Sequence, residues 1–221
     1  MSDEAPVFET TTGPVRIITA ASLFDGHDAA INVMRRLIQS SGAEVIHLGH
    51  DRSAKDVVDC AVQEDAHAVA LTSYQGGHME YFTYIRQLLD EAGCAHVRIF
   101  GGGGGTITPP EIRDLHKSGI SRIYSPDDGR KMGLMGMIHD LMGTASEVDL
   151  IADDRITSLD GPITADEMAK VGLLLTLSES ASDEDFKDMV EKVRSSDKEV
   201  PVIGFTGTGG AGKSSLLDEL M

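Results

Sequence analysis

The sequence of 221 residues has no tryptophan, 5% aromatic residues and only two cysteines, Cys60 and Cys94. Two isolated cysteines without a signal-like leader exclude a disulfide framework and point to a reducing cytoplasm. Cys60 shares a helical face with Val57 and Ala61, so a buried free thiol is expected there. Clustered Lys and Arg are also missing. With 19 basic against 36 acidic side chains the formal charge is −17, which argues against a nucleic-acid partner and disfavours anionic membranes. No apolar run approaches the length of a membrane span. What remains, 41% hydrophobic and 25% charged, is the composition of an ordinary soluble globular protein. The length suits one sizeable core, or one domain with an appendage.

The pattern along the chain is regular. The first 14 residues, "MSDEAPVFETTTGP", are polar and Pro/Gly-bearing, and are expected to be disordered. Apolar strand candidates follow at 15–22, 43–49, 68–74, 97–102 and 121–125. Between them lie amphipathic helix candidates. The first carries Ile31, Met34, Leu37 and Ile38 at helical spacing. The second, "AKDVVDCAVQED", is capped by Ser53. The third, "MEYFTYIRQLLDEAG", ends at Gly93. The fourth, "PPEIRDLHKSG", has prolines where a helix starts and a glycine where it stops. The fifth is "RKMGLMGMIHDLMG". Strands alternating with helices predict a doubly wound, five-stranded parallel α/β sheet, flavodoxin-like, over 15–145. Such sheets bind ligands beyond the carboxyl ends of their strands, where strand order reverses. Residues 146–198 read as an acidic helical linker with no chemistry of its own, opened by the capping box "TADE" at 164–167. A fresh strand, "VPVIGFTG", then begins a second α/β unit over 199–221.

Two stretches carry chemistry. "GTGGAGKS" (207–214) satisfies G-x-x-x-x-G-K-[ST] between an apolar strand and a helix, the context of a phosphate-binding loop. Backbone N–H groups of Gly207, Gly209, Gly210, Ala211, Gly212 and Ser215 would face phosphate oxygens. Lys213 supplies a point charge and Ser214 a ligand for Mg²⁺. Because the sequence stops at Met221, without a Mg²⁺-holding Asp or base-reading motif, efficient nucleotide hydrolysis is not expected of it.

The second stretch, "ASLFDGHDAA" (21–30), puts Asp25, Gly26, His27 and Asp28 between the first strand and the first helix. Alone, a loop histidine is more often a surface residue than a ligand. Its Nε2 is nevertheless a good ligand for a transition metal, and Asp25 is placed to accept from Nδ1–H, fixing the tautomer. Zinc is a poor fit, since no Cys or His partner shares the loop; "HLGHD" (47–51) adds only His47 and His50. At equivalent heights "SYQGGH" (73–78) ends the third strand and "FGGGGGT" (100–106) the fourth. Consecutive glycines make sense where a bulky flat group lies against the sheet edge.

Asp25-x-His27, Ser73 and Gly102-Gly103 together resemble the D-x-H-x-x-G … S-x-L … G-G signature of base-off, histidine-on cobalamin-binding domains, a Rossmann-type fold. The resemblance implies His27 as the lower cobalt ligand and Asp25 as its orienter, within a cofactor loop that includes Gly26 and Asp28. It implies that the cofactor's displaced nucleotide tail enters a slot beside Ser73, Tyr74 and Gln75. Ser73 would bond the tail's base, Gly102 and Gly103 would leave it room, and Tyr124, Ser125 and Pro126 would close the far end. Two positions depart from the signature: Ala30 stands at its glycine and Gln75 at its leucine.

Only 14 polar residues precede the first strand, which favours a mutase over a methyltransferase, whose cobalamin domains usually follow a helical cap module. With the phosphate loop behind the linker, the arrangement is similar to the fused isobutyryl-CoA mutase family of adenosylcobalamin-dependent acyl-CoA mutases. That resemblance implies binding of adenosylcobalamin, and in the complete protein GTP, Mg²⁺, a chaperone-like GTPase domain, an acyl-CoA substrate on a barrel and a homodimer. It implies interconversion of isobutyryl-CoA and n-butyryl-CoA, an isomerase reaction that these residues alone would not turn over. Two other readings stay open: the cobalamin domain of a methylmalonyl-CoA mutase or a related mutase, and a non-catalytic signalling module. The latter lacks an acceptor Asp after the third strand.

Overall fold

The computed structural model describes residues 8–164, 166–193 and 203–220. The chain starts with a small antiparallel pair, β1 (Glu9–Thr10) and β2 (Gly13–Pro14). Gly13 supplies the positive φ its turn requires, and the Thr10 hydroxyl donates to the Gly13 carbonyl at 3.0 Å. Phe8 packs on the main core, its ring centroid 5.9 Å from that of His139. The disordered tail expected to residue 14 is therefore corrected for residues 8–14. An apolar anchor and a glycine turn tie this segment down, while residues 1–7 lie outside the described residues.

The main sheet follows with strict alternation: β3 (Arg16–Ser22), α1 (Asp28–Ser40), β4 (Glu44–Arg52), α2 (Ala54–Gln63), β5 (Ala68–Thr72), α3 (His78–Glu91), β6 (Arg98–Gly102), α4 (Pro109–Lys117), β7 (Arg122–Tyr124) and α5 (Pro126–Ser146). All neighbours are parallel, in the order β4-β3-β5-β6-β7. The doubly wound sheet is thus as expected. Its order reverses between β3 and β5, so the loops after these two strands flank the switch point.

Alternate residues feed two cores. Ile18, Ala20, Val69, Leu71, Ile99 and Ile123 pack against α2, α3 and α4. Ile17, Ala68, Ala70 and Phe100 pack with Ile38 of α1 and Ile138, Leu141 and Met142 of α5. Burial on both faces explains why the strands read as nearly continuous apolar runs. Helix starts are fixed locally by capping boxes at Ser53–Asp56, Thr108–Glu111 and Ser125–Asp128. The last of these begins α5 four residues before its expected start. Gly133 (φ 69°, ψ 173°) breaks α5 in the middle. Cys94 is buried as its surroundings demand, whereas Cys60 is half-buried; burial pushes both thiols up to about 11, so neither is a reactive thiolate at neutral pH.

Residues 146–193 form more than a connector. Helices α6 (Asp153–Thr157), α7 (Met168–Ser180) and α8 (Asp183–Val193) share a core of Leu159, Leu173, Leu177 and Val193. Helix α7 lies so close to α2 that a Cβ on Gly172 would stand 2.8 Å from the Val62 carbonyl. Asp65, fully buried after α2, accepts from Arg155 Nη2 at 2.6 Å and from the Thr176 hydroxyl at 2.7 Å. Arg16 Nη2 donates to the same hydroxyl at 2.7 Å. Ala165 of the expected capping box and residues 194–202, with the start of the strand expected to open the second α/β unit, lie outside the described residues. Residues 203–208 form no strand. Among the described residues no neighbouring strand meets their backbone groups, and an isolated strand leaves both edges unpaired. The last helix is α9 (Lys213–Leu220). No helix among the described residues is long and apolar enough to cross a membrane.

His67 and His96 sit at this polar joint. Burial, reinforced by Arg16 beside His67 and by Arg155 beside His96, holds both imidazoles well below their ordinary value of 6.5, His67 at about 4. The folded state keeps them neutral where the unfolded chain would protonate them. Their contribution to stability is complete above about pH 6.5 and is lost as pH falls toward 4. Urea unfolding is expected to show a midpoint that declines across this window, and a His67→Gln variant to show a shallower decline.

Candidate functional site

The loop after β3 opens with a tight turn in which Asp25 N–H donates to the Ser22 carbonyl at 3.0 Å. This turn drives the Asp25 side chain under the loop, where it is 0% exposed. A buried carboxylate needs donors, and this one has three. Its Oδ1 accepts from His27 N–H at 2.9 Å and from His27 Nδ1 at 2.8 Å, and its Oδ2 accepts from Tyr74 N–H at 2.6 Å. Burial by itself raises the pKa, but the Tyr74 and His27 hydrogen bonds and the imidazole's charge outweigh it and hold Asp25 below its usual value. An ionised carboxylate only accepts, so the proton of neutral His27 sits on Nδ1. Its Nε2 then presents a lone pair outward from a side chain that is 75% exposed.

Beside this loop a cavity of about 500 Å³ runs between α1, the strand ends and the kinked α5. Its floor and walls are apolar: Ile31, Met34, Phe100, Leu134, Met137 and Leu141 among others. Thr72 breaks that pattern. The residue is 7% exposed and lines the cavity, and its Oγ1 has no hydrogen-bond partner among the described residues. Such an orphan costs free energy unless a ligand meets it.

Ser73 does not play the part expected of it. Strand alternation sends its side chain to the other side, where its fully buried Oγ accepts from Ser22 Oγ at 2.9 Å. Positions 72 and 74 share the slot face, so Thr72 and Tyr74 line the cavity while Ser73 and Gln75 do not. Gln75 Oε1 instead accepts from Gly77 N–H at 2.6 Å, ahead of α3. Ser73 and Gln75, expected at the slot, thus stand one register off the face that lines it. The signal available was an extended run whose period-two alternation pairs Thr72 with Ala70.

The glycines divide by what crowds them. A Cβ on Gly103 would lie 1.9 Å from the Ser73 carbonyl oxygen, and one on Gly101 2.3 Å from the Phe82 ring. Both are demanded by the fold itself. Gly102 differs: its absent Cβ would come no nearer than 3.4 Å to the Tyr124 carbonyl, so only cavity space depends on it. Tyr124, Ser125 and Pro126 line the end of the cavity next to α5. The Tyr124 hydroxyl donates to Asp140 at 2.8 Å, and burial followed by this bond raises its pKa. Ser125 Oγ is occupied by the α5 cap. Ala30, at the motif's glycine position, lines the slot on α1. Gly26 and Asp28 shape the entry to α1, the Asp28 N–H donating to the Gly26 carbonyl at 3.0 Å.

Residues Gly207, Gly209, Gly210, Ala211, Gly212, Ser214 and Ser215 are all exposed. Gly210 and Gly212 take positive φ, and Lys213 Nζ donates to the Gly207 and Thr208 carbonyls, both at 2.9 Å. The lysine thus closes the loop on itself.

Among the described residues no group of three or more His, Cys, Asp or Glu side chains could hold a metal ion. His27 offers one nitrogen. That donor set fits a metal that brings its remaining ligands in a macrocycle, and the apolar cavity with its single orphan hydroxyl fits a flat heteroaromatic appendage on that macrocycle.

The B12 binding domain family model matches residues 15–127. The chain is 50% identical over 214 residues to the fused isobutyryl-CoA mutase of Geobacillus kaustophilus, and 53% identical over 209 residues to that of Cupriavidus metallidurans. Each alignment covers 94% of this chain and 19% of the relative, so the chain spans about a fifth of the length of these curated relatives. It is also 30% identical to the 2-hydroxyisobutanoyl-CoA mutase small subunit of Aquincola tertiaricarbonis, over 52% of this chain and 82% of that subunit.

The two glycines give a separable expectation. Gly103→Ala drives a Cβ into backbone and should destabilise the domain by about 3 kcal/mol. Gly102→Ala should unfold within about 0.5 kcal/mol of the parent while narrowing the slot. Thermal denaturation of both variants checks the pair.

Proposed function

The chain belongs to the B12-binding domain family, and we propose that it takes its corrinoid base-off, with His27 Nε2 as the lower ligand to cobalt and the nucleotide tail in the α1–α5 slot. The Asp25–His27–Tyr74 arrangement beside that slot carries the reading. Asp25 Oδ1 holds the Nδ1 proton, which fixes the tautomer and raises the basicity of Nε2 toward a metal. Tyr74 N–H holds the other oxygen, so the imidazole is oriented before any ligand arrives. Thr72 Oγ1, the orphan donor of the slot, is the group suited to the tail's base, with Gly102 leaving room and Tyr124, Ser125 and Pro126 bounding the far end. When bound as adenosylcobalamin, the cofactor supplies a cobalt–carbon bond that breaks homolytically, and the protein ligates, orients and excludes water.

The identity to fused isobutyryl-CoA mutases supports placing this domain in an adenosylcobalamin-dependent acyl-CoA mutase. The reaction proposed for the whole protein interconverts isobutyryl-CoA and n-butyryl-CoA, with the acyl-CoA held outside the residues described. The loop at 207–215 supports GTP binding with Mg²⁺ on Ser214. There, phosphate oxygens would draw Lys213 Nζ from the Gly207 and Thr208 carbonyls. A chaperone-like GTPase role, a homodimer and a cytoplasmic site complete this reading.

Adenosylcobinamide tests the ligand directly, because it lacks the nucleotide tail and has no lower nitrogen of its own. Added to the protein, its visible spectrum should shift to that of a nitrogen-ligated alkylcobalt. His27→Ala should abolish the shift, and a shift that survives this substitution overturns the assignment. Thr72→Val should weaken cobalamin about fivefold, as expected for one buried hydrogen bond worth ~1 kcal/mol, and leave cobinamide affinity unchanged. Equilibrium dialysis reads both constants.

A further inference from the structure

Phe24 breaks two rules at once. It is the third residue of the Ser22–Asp25 turn, closed by the bond from Asp25 N–H to the Ser22 carbonyl, and its φ is +64°. Glycine or asparagine is the usual occupant of a left-handed position in such a turn, since a Cβ is penalised there. Its ring is also 83% exposed, so no packing among the described residues offsets that penalty. Phe24 contributes nothing to folding that glycine would not do better.

The surroundings hold it in place. Phe24 N–H donates to Asp51 Oδ1 at 2.7 Å, and Asp51 is itself left-handed at φ +56°. Asp51 reaches that position because β4 bulges. Ala20 pairs with Gly49 but Ser22 with Arg52, so β4 spends an extra residue opposite the end of β3. A bulge at the edge strand, a strained aspartate and a strained phenylalanine converge on one outcome: an aromatic side chain presented to solvent three residues before His27. Backbone outliers of this kind cluster where a site is built.

We propose that Phe24 is a contact platform for the corrin macrocycle, covering part of its lower face when His27 takes the cobalt. The proposal rests on the corrinoid reading above. A corrin is a broad, largely apolar ring, and a ligand drawn down onto His27 Nε2 necessarily brings its underside to the loop that carries His27. The exposed phenyl is then buried on binding, which favours the complex. Asp51 acts as a positioning residue through its hold on the Phe24 amide.

The test uses cobinamide, which excludes the tail slot, and Phe24→Gly, which relieves the backbone strain. The glycine variant should melt at or above the temperature of the parent. It should bind cobinamide about tenfold more weakly, equivalent to about 1.4 kcal/mol, while keeping the spectrum of histidine-ligated cobalt. Phe24→Trp should restore the affinity. Glycine binding as tightly as phenylalanine, or a glycine variant that loses thermal stability, would overturn the platform. The corrinoid reading fails differently, through a parent protein that shows no nitrogen-ligated spectrum with cobinamide.

Discussion

Everything at the carboxyl end of the sheet is arranged around one buried carboxylate. Asp25 is fully out of water, and a charge in that position survives only because three N–H groups converge on it. Two of those donors belong to His27 and one to Tyr74, so satisfying Asp25 simultaneously closes the β3–α1 loop, ties it to the loop after β5, and fixes the imidazole. The switch point between β3 and β5 makes this possible, since only there do two strand-end loops diverge around an open crevice. Electrostatic satisfaction of the aspartate and orientation of the histidine are the same set of bonds.

The cavity between α1 and α5 is an opening in the core more than a groove on the surface. Ile38, Ala70, Phe100, Tyr124 and Leu141 belong to the buried cluster beneath α1 and α5, and the same residues line the cavity. A domain that keeps about 500 Å³ open inside its packing gives up contacts that a filled core would make. The kink at Gly133 contributes to that opening by breaking α5 between Pro126 and Leu134, both of which border it. The cavity and the orphan hydroxyl of Thr72 are two local costs that a single bound corrinoid would offset together.

Much of this was legible from the residues. The alternation of strands and helices, the Ser53 cap and the bond between Asp25 and His27 Nδ1 all follow from local chemistry and came out as expected. The departures share a physical cause: each depends on where a side chain points or what it meets in space. Ser73 and Thr72 are both small hydroxyl residues at a strand end, and only alternation against the real sheet decides which faces the slot. Gly102 and Gly103 look alike in sequence, but one borders a cavity and the other a carbonyl. The segment from 146 to 193 reads as a linker because its residues are acidic and its helices modest, while its attachment depends on Asp65 meeting Arg155 and Thr176 across 90 and 111 positions. Phe24 drew no expectation from the sequence. A phenylalanine next to a strand looks like core, and nothing short of its φ and exposure reveals otherwise.

The central claim, that the nitrogen below cobalt belongs to His27, is tested most directly by the unpaired electron of the reduced cofactor. Protein grown with histidine carrying the heavy nitrogen isotope would be loaded with cobalamin, reduced to the Co(II) state and examined by electron paramagnetic resonance. Ordinary axial nitrogen splits each cobalt line into three, and the heavy isotope splits it into two. The account predicts the two-line pattern in the labelled protein. A three-line pattern that persists after labelling would mean that the benzimidazole of the cofactor still holds the metal, and would contradict it.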